Sequence, residues 1–103
     1  GAVFSHDGRF NITNAAHKRA FEPIEADCPC YTCRHYTRAY VHHLFKAKEM
    51  LAFTLATIHN EHFIVNLVAR MRQSIIDGNY WEFRKEFIGR YYATKKSPLL
   101  PHG

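Results

Sequence analysis

The feature that most constrains this chain is a group of three cysteines in the segment Cys28-Pro29-Cys30-Tyr31-Thr32-Cys33. Three thiolates this close in sequence can converge on a single metal ion. Structural zinc takes four tetrahedral ligands, usually cysteine sulfur and histidine nitrogen. The motif therefore predicts a structural zinc site with three cysteine ligands and a histidine as the fourth.

Eight histidines compete for the fourth position. His35 closely follows the last cysteine, and His42 and His43 lie a turn or two further on, but adjacent helical side chains point about 100° apart and cannot easily share one ion. His59 and His62 belong to a later predicted helix, so either would tie the cysteine segment to a second element. Because a metal that closes a long loop restrains the unfolded chain most, His59 or His62 is favoured.

Other uses of the cysteines fit the sequence less well. An odd number of closely spaced cysteines suits an oxidised secreted scaffold poorly. A redox pair of Cys30 and Cys33 would require a strand followed by a helix N-terminus in a βαβ unit, and no such pattern surrounds them. Three unrelated buried thiols are the remaining alternative, and their close spacing argues against it.

Length, composition and charge limit the class of protein. The chain of 103 residues fits one domain, and a hydrophobic content of 47% with 15% aromatic residues argues against disorder. The net charge of +5 suits an acidic partner such as nucleic acid. No apolar run approaches the roughly 20 residues that a membrane helix needs. We therefore expect a soluble, cytoplasmic protein with no membrane contact.

Local patterns predict a mainly α-helical fold with a small β-hairpin, stabilised by zinc. The Asp7-Gly8 pair between alternating apolar and polar residues indicates the hairpin. Thr37 is a suitable N-cap for a helix, and Gly78 marks a helix C-terminus. The expected subdomain covers residues 1–94, with a hairpin at 3–13, a cysteine loop at 27–36, helices at 38–46, 49–77 and 80–91, and then a disordered tail at 95–103.

The long predicted helix 49–77 carries two further expectations. Asparagine is a poor residue for a helix interior, so a kink is expected near His59 and Asn60. The apolar positions at helical spacing predict a buried stripe. Its members are Leu51, Leu55, Ile58, His62 and Val65.

Several segments together resemble a known family. They are residues 27–44, Thr57-Ile58-His59-Asn60, and, outside these, Phe4, Asn14-Ala15, Pro23-Ile24 and Tyr91. This pattern is similar to the C-terminal zinc subdomain of bacterial tRNA-guanine transglycosylases, in which a C-x-C-x-x-C motif and the histidine of an Ile-His-Asn sequence hold the metal. The resemblance implies one structural zinc bound by Cys28, Cys30, Cys33 and His59. Pro29 and Glu61 depart from the family pattern, and neither removes a ligand.

The resemblance also implies the activity of a longer parent protein. Enzymes of this family are irregular TIM (β/α)8 barrels that exchange a guanine of tRNA for a 7-deazaguanine precursor of queuosine, through an aspartate that attacks the ribose. Their catalytic aspartates lie upstream of the position that matches Gly1, so we expect a fragment with no catalytic residue of its own. A free-standing zinc-binding nucleic-acid module and a non-catalytic accessory subunit are the alternatives.

Two surfaces are candidates for contact with partners. Tyr36, Tyr40 and His43 fall on one side of the segment around helix 38–46. Such a stripe usually packs internally, but the resemblance implies that it forms a homodimer contact. Scattered basic residues are by default a solvated face, and binding of tRNA phosphates is the alternative. They are Arg34, Arg38, Lys46, Lys48, Arg70, Arg72, Arg84 and Lys85, and no individual RNA contact is assigned.

Overall fold

The computed structural model describes residues 1–93, and the tail expected to be disordered at 95–103 lies outside them. The chain forms strand β1 (Ala2–Val3), strand β2 (Phe10–Asn11), a short 3₁₀ helix (Ala15–His17), and helices α1 (Tyr31–His35), α2 (Arg38–Lys46), α3 (Met50–Ile76) and α4 (Tyr80–Tyr91). The predicted fold class, mainly helical with a small hairpin, is confirmed. Among the described residues, no helix combines the length and apolar content needed to cross a membrane.

The hairpin is shorter than the predicted span of 3–13. Its two strands pair antiparallel, with Ala2 opposite Asn11. The turn is closed by Ser5 and Gly8, whose backbone groups exchange hydrogen bonds of 3.1 and 3.0 Å, and Gly8 has a φ of 118°. The second strand stops early because the Asn11 side chain accepts the backbone N–H of Thr13 at 2.9 Å and so bends the chain away from the ladder.

Side-chain and backbone caps set the ends of the helices. The Thr37 hydroxyl accepts the N–H of Tyr40 at 3.1 Å and caps α2, as predicted. Gly78 has a φ of +78° just beyond α3. The following Asn79 N–H bonds to the Ser74 carbonyl at 2.9 Å, which completes the turn that ends this helix.

The cysteine segment contains a helix that the sequence did not predict. Residues 27–36 were expected to form an irregular loop, but Tyr31–His35 form the short helix α1. Cys30 is its N-cap, and the sulfur accepts the N–H of Cys33 at 3.4 Å. The same sulfur therefore fixes the helix start and faces the metal position.

The predicted stripe of α3 is buried only in part. Leu55 is buried and Ile58 packs against the core, whereas Leu51 is 42% exposed and Val65 is 68% exposed. The buried residues of the helix are Ala52, Leu55, Ala56, His59 and Phe63, with Ser74 further along. Because α3 is apolar on more than one side, spacing alone could not choose the face, and two small alanines allow the neighbouring helices to approach closely.

A buried hydroxyl joins α1 to α3. Thr32 is fully buried, and its Oγ1 donates to the carbonyl oxygen of Leu55 at 2.7 Å. Around this contact lies the hydrophobic core, which draws on the hairpin, the segments before and after the 3₁₀ helix, the cysteine segment, α2 and α3. Its larger members are Val3, Ile12, Ile24, Val41 and Leu55.

Arg38 does not belong to a solvated basic face, contrary to one of the expectations above. Its Nη2 donates to the Ile24 carbonyl at 2.7 Å, and its Nε lies 3.1 Å from the Pro23 carbonyl oxygen. The guanidinium also lies 4.6 Å from the centre of the Phe10 ring. Arg38 therefore holds the approach to the cysteine segment against α2.

We predict that Thr32→Val lowers the free energy of unfolding by about 1 kcal/mol, because it removes one net hydrogen bond while the Leu55 carbonyl keeps its helical partner. Thr57→Val is the matched control, since Thr57 lies exposed on α3. Urea unfolding of the zinc-loaded proteins measures both. Equal stability losses in the two variants would contradict a structural role for the Thr32 hydroxyl.

Candidate metal centre

The structure brings four potential metal ligands together. The donor atoms of Cys28, Cys30, Cys33 and His59 all lie within 4.8 Å of one another. The Nδ1 atom of His59 lies 3.6, 3.7 and 3.4 Å from the sulfurs of Cys28, Cys30 and Cys33. These are the four residues that the family resemblance implied.

The geometry fits a tetrahedral zinc ion. Bonds of about 2.3 Å to sulfur and about 2.0 Å to nitrogen at a tetrahedral angle place the sulfur and nitrogen about 3.5 Å apart. The observed separations of 3.4 to 3.7 Å match this value. The four side chains therefore form a site for a single zinc ion, and three sulfurs with one nitrogen are a common set in structural zinc centres.

The other candidate histidines lie outside this cluster. His42 is buried, and its Nδ1 donates to the Ile12 carbonyl at 2.9 Å. His43 is exposed, and its Nε2 donates to the Lys18 carbonyl at 3.2 Å. His35 packs against the Tyr31 ring with 4.5 Å between the ring centres.

Local backbone geometry aims the three sulfurs. Cys30 and Cys33 lie at the start and within the single turn of α1, so their side chains point to the same side. Cys28 precedes this turn, directly after Asp27, which has a φ of +62°. Aspartate tolerates this left-handed conformation better than most residues. Residues 25–28 form a separate turn before α1, closed by a backbone hydrogen bond of 3.3 Å from the Cys28 N–H to the Glu25 carbonyl.

A hydrogen bond to the hairpin orients the histidine. The Nε2 of His59 lies 2.6 Å from the carbonyl oxygen of Phe4, to which it donates. The proton is therefore on Nε2, and the lone pair of Nδ1 points to the sulfurs. Metal-binding histidines are generally held by such a contact from the second ring nitrogen.

Asn60 has a role that the sequence interpretation missed. Its Oδ1 accepts the N–H of Phe4 at 3.0 Å, and its Nδ2 donates to the Ala2 carbonyl at 3.0 Å. Where a kink was expected, near His59 and Asn60, α3 continues without a break. The asparagine side chain bonds to the hairpin instead of competing with its own helix. A polar residue directly after a ligand was the signal available in the sequence.

Burial favours the protonated thiols of Cys28 and Cys33 when no metal is bound. It raises the pKa of the Cys33 thiol strongly and raises the pKa of the Cys28 thiol as well. Burial also lowers the pKa of His59, so this imidazole is neutral and ready to coordinate. Zinc binding must displace thiol protons, because thiolates are the ligands.

An ionic network connects the metal segment with the hairpin turn and both long helices. The Glu25 carboxylate pairs with His6 Nδ1 and accepts the His6 backbone N–H at 2.6 Å. Arg70 of α3 donates to His6 Nε2 at 2.9 Å. Arg90 of α4 donates to Asp7 at 2.7 Å, and this bond lowers the pKa of the carboxyl group. None of these three pairs could be predicted from the sequence, because the partners are far apart in it.

The residues expected to form a partner surface lie together on the outside. The Tyr36 and Tyr40 rings stack with 5.1 Å between their centres. Tyr40 is 44% exposed, and His43 lies exposed one turn further along α2. Tyr31 extends this group, with its ring centre 6.0 Å from that of Tyr36. We call Tyr36, Tyr40 and His43 the aromatic patch.

The fold and the site together define a helical zinc-binding subdomain. The family model described as "Queuine tRNA-ribosyltransferase" matches residues 1–93, and the chain belongs to this family. A relative of that name from Streptococcus thermophilus (strain CNRZ 1066) is 50% identical over 91 residues, which cover 88% of this chain and 24% of the relative. A relative of the same name from Dehalococcoides mccartyi (strain BAV1) is 50% identical over 97 residues, covering 94% of this chain and 25% of the relative.

A third protein of this name, from Moorella thermoacetica, is 46% identical over 95 residues, covering 92% of this chain and 26% of the relative. The chain thus spans about a quarter of the length of the curated relatives it matches.

Removal of zinc with a chelator should unfold much of the chain, because a structural zinc site contributes on the order of 10 kcal/mol to folding. Far-ultraviolet circular dichroism should show a large loss of helical signal, and zinc should restore it. Cys30→Ser should show the same loss without a chelator. Helicity that persists after complete zinc removal would mean that the hydrophobic core alone holds the helices.

Asn60→Ala should weaken zinc binding roughly tenfold, since it frees the hairpin that orients His59, and loss of such supporting contacts commonly costs about 10- to 100-fold in metal affinity. Asn66→Ala is the matched control, because Asn66 is an exposed asparagine on the same helix. Competition with a zinc-binding dye measures both affinities. Unchanged affinity in Asn60→Ala would contradict the role assigned to this side chain.

Proposed function

We propose that this chain is the C-terminal zinc-binding part of a tRNA-guanine transglycosylase, the enzyme that replaces a guanine of tRNA with a 7-deazaguanine precursor in queuosine biosynthesis. The observation that carries the proposal is the convergence of Cys28, Cys30, Cys33 and His59 in a chain whose family match extends over residues 1–93. The fragment contributes fold closure, a homodimer contact and part of the surface that binds tRNA.

The metal in this proposal is structural. Four protein ligands complete a tetrahedral shell, so the site has no place for a reacting water molecule. The ligands fix the positions of three elements relative to one another. The cysteines attach α1 to the metal, His59 attaches α3, and the hydrogen bond from His59 to the Phe4 carbonyl attaches the hairpin. A catalytic zinc site would require an open coordination position.

Catalysis belongs to the rest of the parent enzyme. The surroundings of the three aspartates of this chain differ from those expected of a catalytic nucleophile. Asp7 binds Arg90, Asp27 precedes a zinc ligand, and Asp77 follows α3 and accepts a bond of 2.9 Å from Gln73. None of them lies in an arrangement that activates a nucleophile toward ribose.

Exposed apolar side chains support the proposal that this subdomain packs against a larger body. A soluble domain that stands alone rarely exposes a large contiguous apolar surface. The distal half of α3 and helix α4 carry several exposed apolar residues, with Ile76 and Trp81 each 71% exposed. The others are Ile64, Val65, Val68, Ile75 and Ile88. We assign this face to the barrel of the parent enzyme.

The aromatic patch is the proposed homodimer contact. Stacked tyrosines on a short helix beside a rigid metal centre form a preorganised surface, and aromatic residues are frequent anchors of protein interfaces. Tyr40 is partly exposed while it stacks on Tyr36, so a partner would bury the remaining ring surface. In the full enzyme, barrel residues add to this contact.

The proposed tRNA surface uses the basic side chains that are not engaged in the fold. Arg38, Arg70 and Arg90 hold other parts of the chain together and are therefore not assigned to RNA. Exposed basic residues remain, and they account for much of the net charge of +5. Among the basic residues named from the sequence, those that are exposed and unassigned are Arg34, Lys46, Lys48, Arg72, Arg84 and Lys85. Because the proposed substrate is tRNA, we propose that the enzyme acts in the cytoplasm.

Incorporation of labelled guanine into tRNA tests the family activity. The 103-residue chain alone should incorporate none, whereas the full-length protein that contains this sequence should be active. Activity of the chain alone would contradict the fragment assignment. An inactive full-length protein with no catalytic aspartate would favour an accessory subunit, and the absence of any barrel-length extension would favour a free-standing zinc-binding nucleic-acid module.

Tyr40→Ala should shift the full-length protein from dimer toward monomer. Burial of an aromatic side chain is worth roughly 1.5–3 kcal/mol, so the dissociation constant should rise by at least about tenfold. Tyr92→Ala is the matched control, because Tyr92 is another exposed tyrosine remote from the patch in sequence. Sedimentation across a concentration series decides between interface and internal packing. Unchanged dimerisation with a lowered melting temperature in Tyr40→Ala would reject the interface.

A further inference from the structure

The four zinc ligands are not equally protected from solvent. Cys30 is 5% exposed, Cys33 is 7% exposed and His59 is fully buried. Cys28 is only partly buried. Cys28 is therefore the ligand residue of the centre that solvent reaches, and the other three ligands are shielded by the fold.

A cleft leads to Cys28. It has a volume of about 780 Å³ and lies between the hairpin turn, the segment before α1 and the two long helices. Cys28 lines the cleft, together with His6, Glu25, His62 and Arg70, among others. Cys30, Cys33 and His59 are not part of its wall. A small polar molecule that enters the cleft therefore meets one zinc ligand and no other.

We propose that Cys28 is a site of oxidative modification by hydroperoxides, and that its oxidation opens the zinc centre. Susceptibility to oxidation follows thiolate character and exposure. A zinc-bound cysteine is a thiolate even where burial would otherwise keep it protonated. Cys28 alone combines this thiolate character with access from the cleft.

The chemical step balances with hydrogen peroxide as the oxidant. The Cys28 thiolate attacks one peroxide oxygen, a sulfur–oxygen bond forms, the oxygen–oxygen bond breaks, and hydroxide leaves into the solvent. The sulfur loses two electrons, which the peroxide gains, and the product is a sulfenic acid.

A disulfide then follows. The thiolate of Cys30 or Cys33 attacks the Cys28 sulfur, a sulfur–sulfur bond forms, and the sulfenic oxygen leaves as hydroxide. Both sulfurs are candidates because all donor atoms of the centre lie within 4.8 Å. Two of the four ligands are then lost, and the site no longer holds zinc. Reduction by a thiol reverses the change.

The first test maps oxidation in the zinc-loaded chain. Graded hydrogen peroxide is added with a sulfenic-acid trap, the cysteines are mapped by peptide mass spectrometry, and released zinc is followed with a chromogenic chelator. At the lowest dose that releases zinc, the adduct on Cys28 should exceed that on Cys30 or Cys33 by roughly fivefold or more. Equal labelling of the three cysteines, or zinc release without oxidation of Cys28, would overturn the proposal.

A matched pair of variants supplies the second test. Cys28→His and Cys33→His both leave two cysteines and two histidines, which is a natural zinc ligand set. The peroxide dose for half-release of zinc should rise roughly fivefold or more in Cys28→His and should stay at the wild-type level in Cys33→His. An unchanged dose in Cys28→His would contradict the proposal. If a variant fails to bind zinc, the adduct map of the wild-type chain decides alone.

Discussion

The contact on which this structure depends is the convergence of His59 on three cysteine sulfurs. The cysteines lie before and within α1, and the histidine lies in the first half of α3, about thirty residues later. Few other interactions connect these two parts of the chain so directly. The buried apolar residues among those described are mostly small, and Phe63 is the single aromatic side chain among them. A small core of this kind gains much from a metal link, because the link adds free energy that apolar burial in a short chain does not supply.

The same segment of α3 carries several supporting contacts. The Leu55 carbonyl accepts a hydrogen bond from the Thr32 hydroxyl. The His59 ring faces the three sulfurs and donates to the Phe4 carbonyl, and the Asn60 side chain bonds to the hairpin. Loss of one of these contacts therefore affects how the others are held. The second half of the helix differs in character, since most of its apolar side chains are exposed. Its first half builds the metal centre, and its second half is available to the larger protein.

The sequence predicted the metal ligands better than the packing around them. Three cysteines at close spacing are nearly sufficient for a zinc site, because few other arrangements satisfy thiols so close together. The length of the loop that the metal would close narrowed the candidates for the fourth zinc ligand to His59 and His62, and the family resemblance selected His59. Helix ends at Thr37 and Gly78 were readable because capping depends on local chemistry.

Features that depend on distant contacts could not be read in the same way. The prediction for Asn60 rested on its poor helix propensity. Its side chain instead forms hydrogen bonds with backbone groups of the hairpin, more than fifty residues away. The buried face of α3 was predicted only in part, because the helix is apolar on several sides and tertiary contacts choose among them. Helix α1 was missed because its N-cap is a cysteine sulfur, which does not belong to the usual set of capping residues.

X-ray absorption spectroscopy at the zinc edge tests the central claim most directly. On the zinc-loaded chain, the account predicts a four-coordinate ion with three sulfur neighbours at about 2.3 Å and one nitrogen neighbour at about 2.0 Å. His59→Ala should lose the nitrogen neighbour and retain the sulfur neighbours in any zinc that still binds. A shell dominated by oxygen and nitrogen, or an imidazole signal that persists in His59→Ala, would contradict the account.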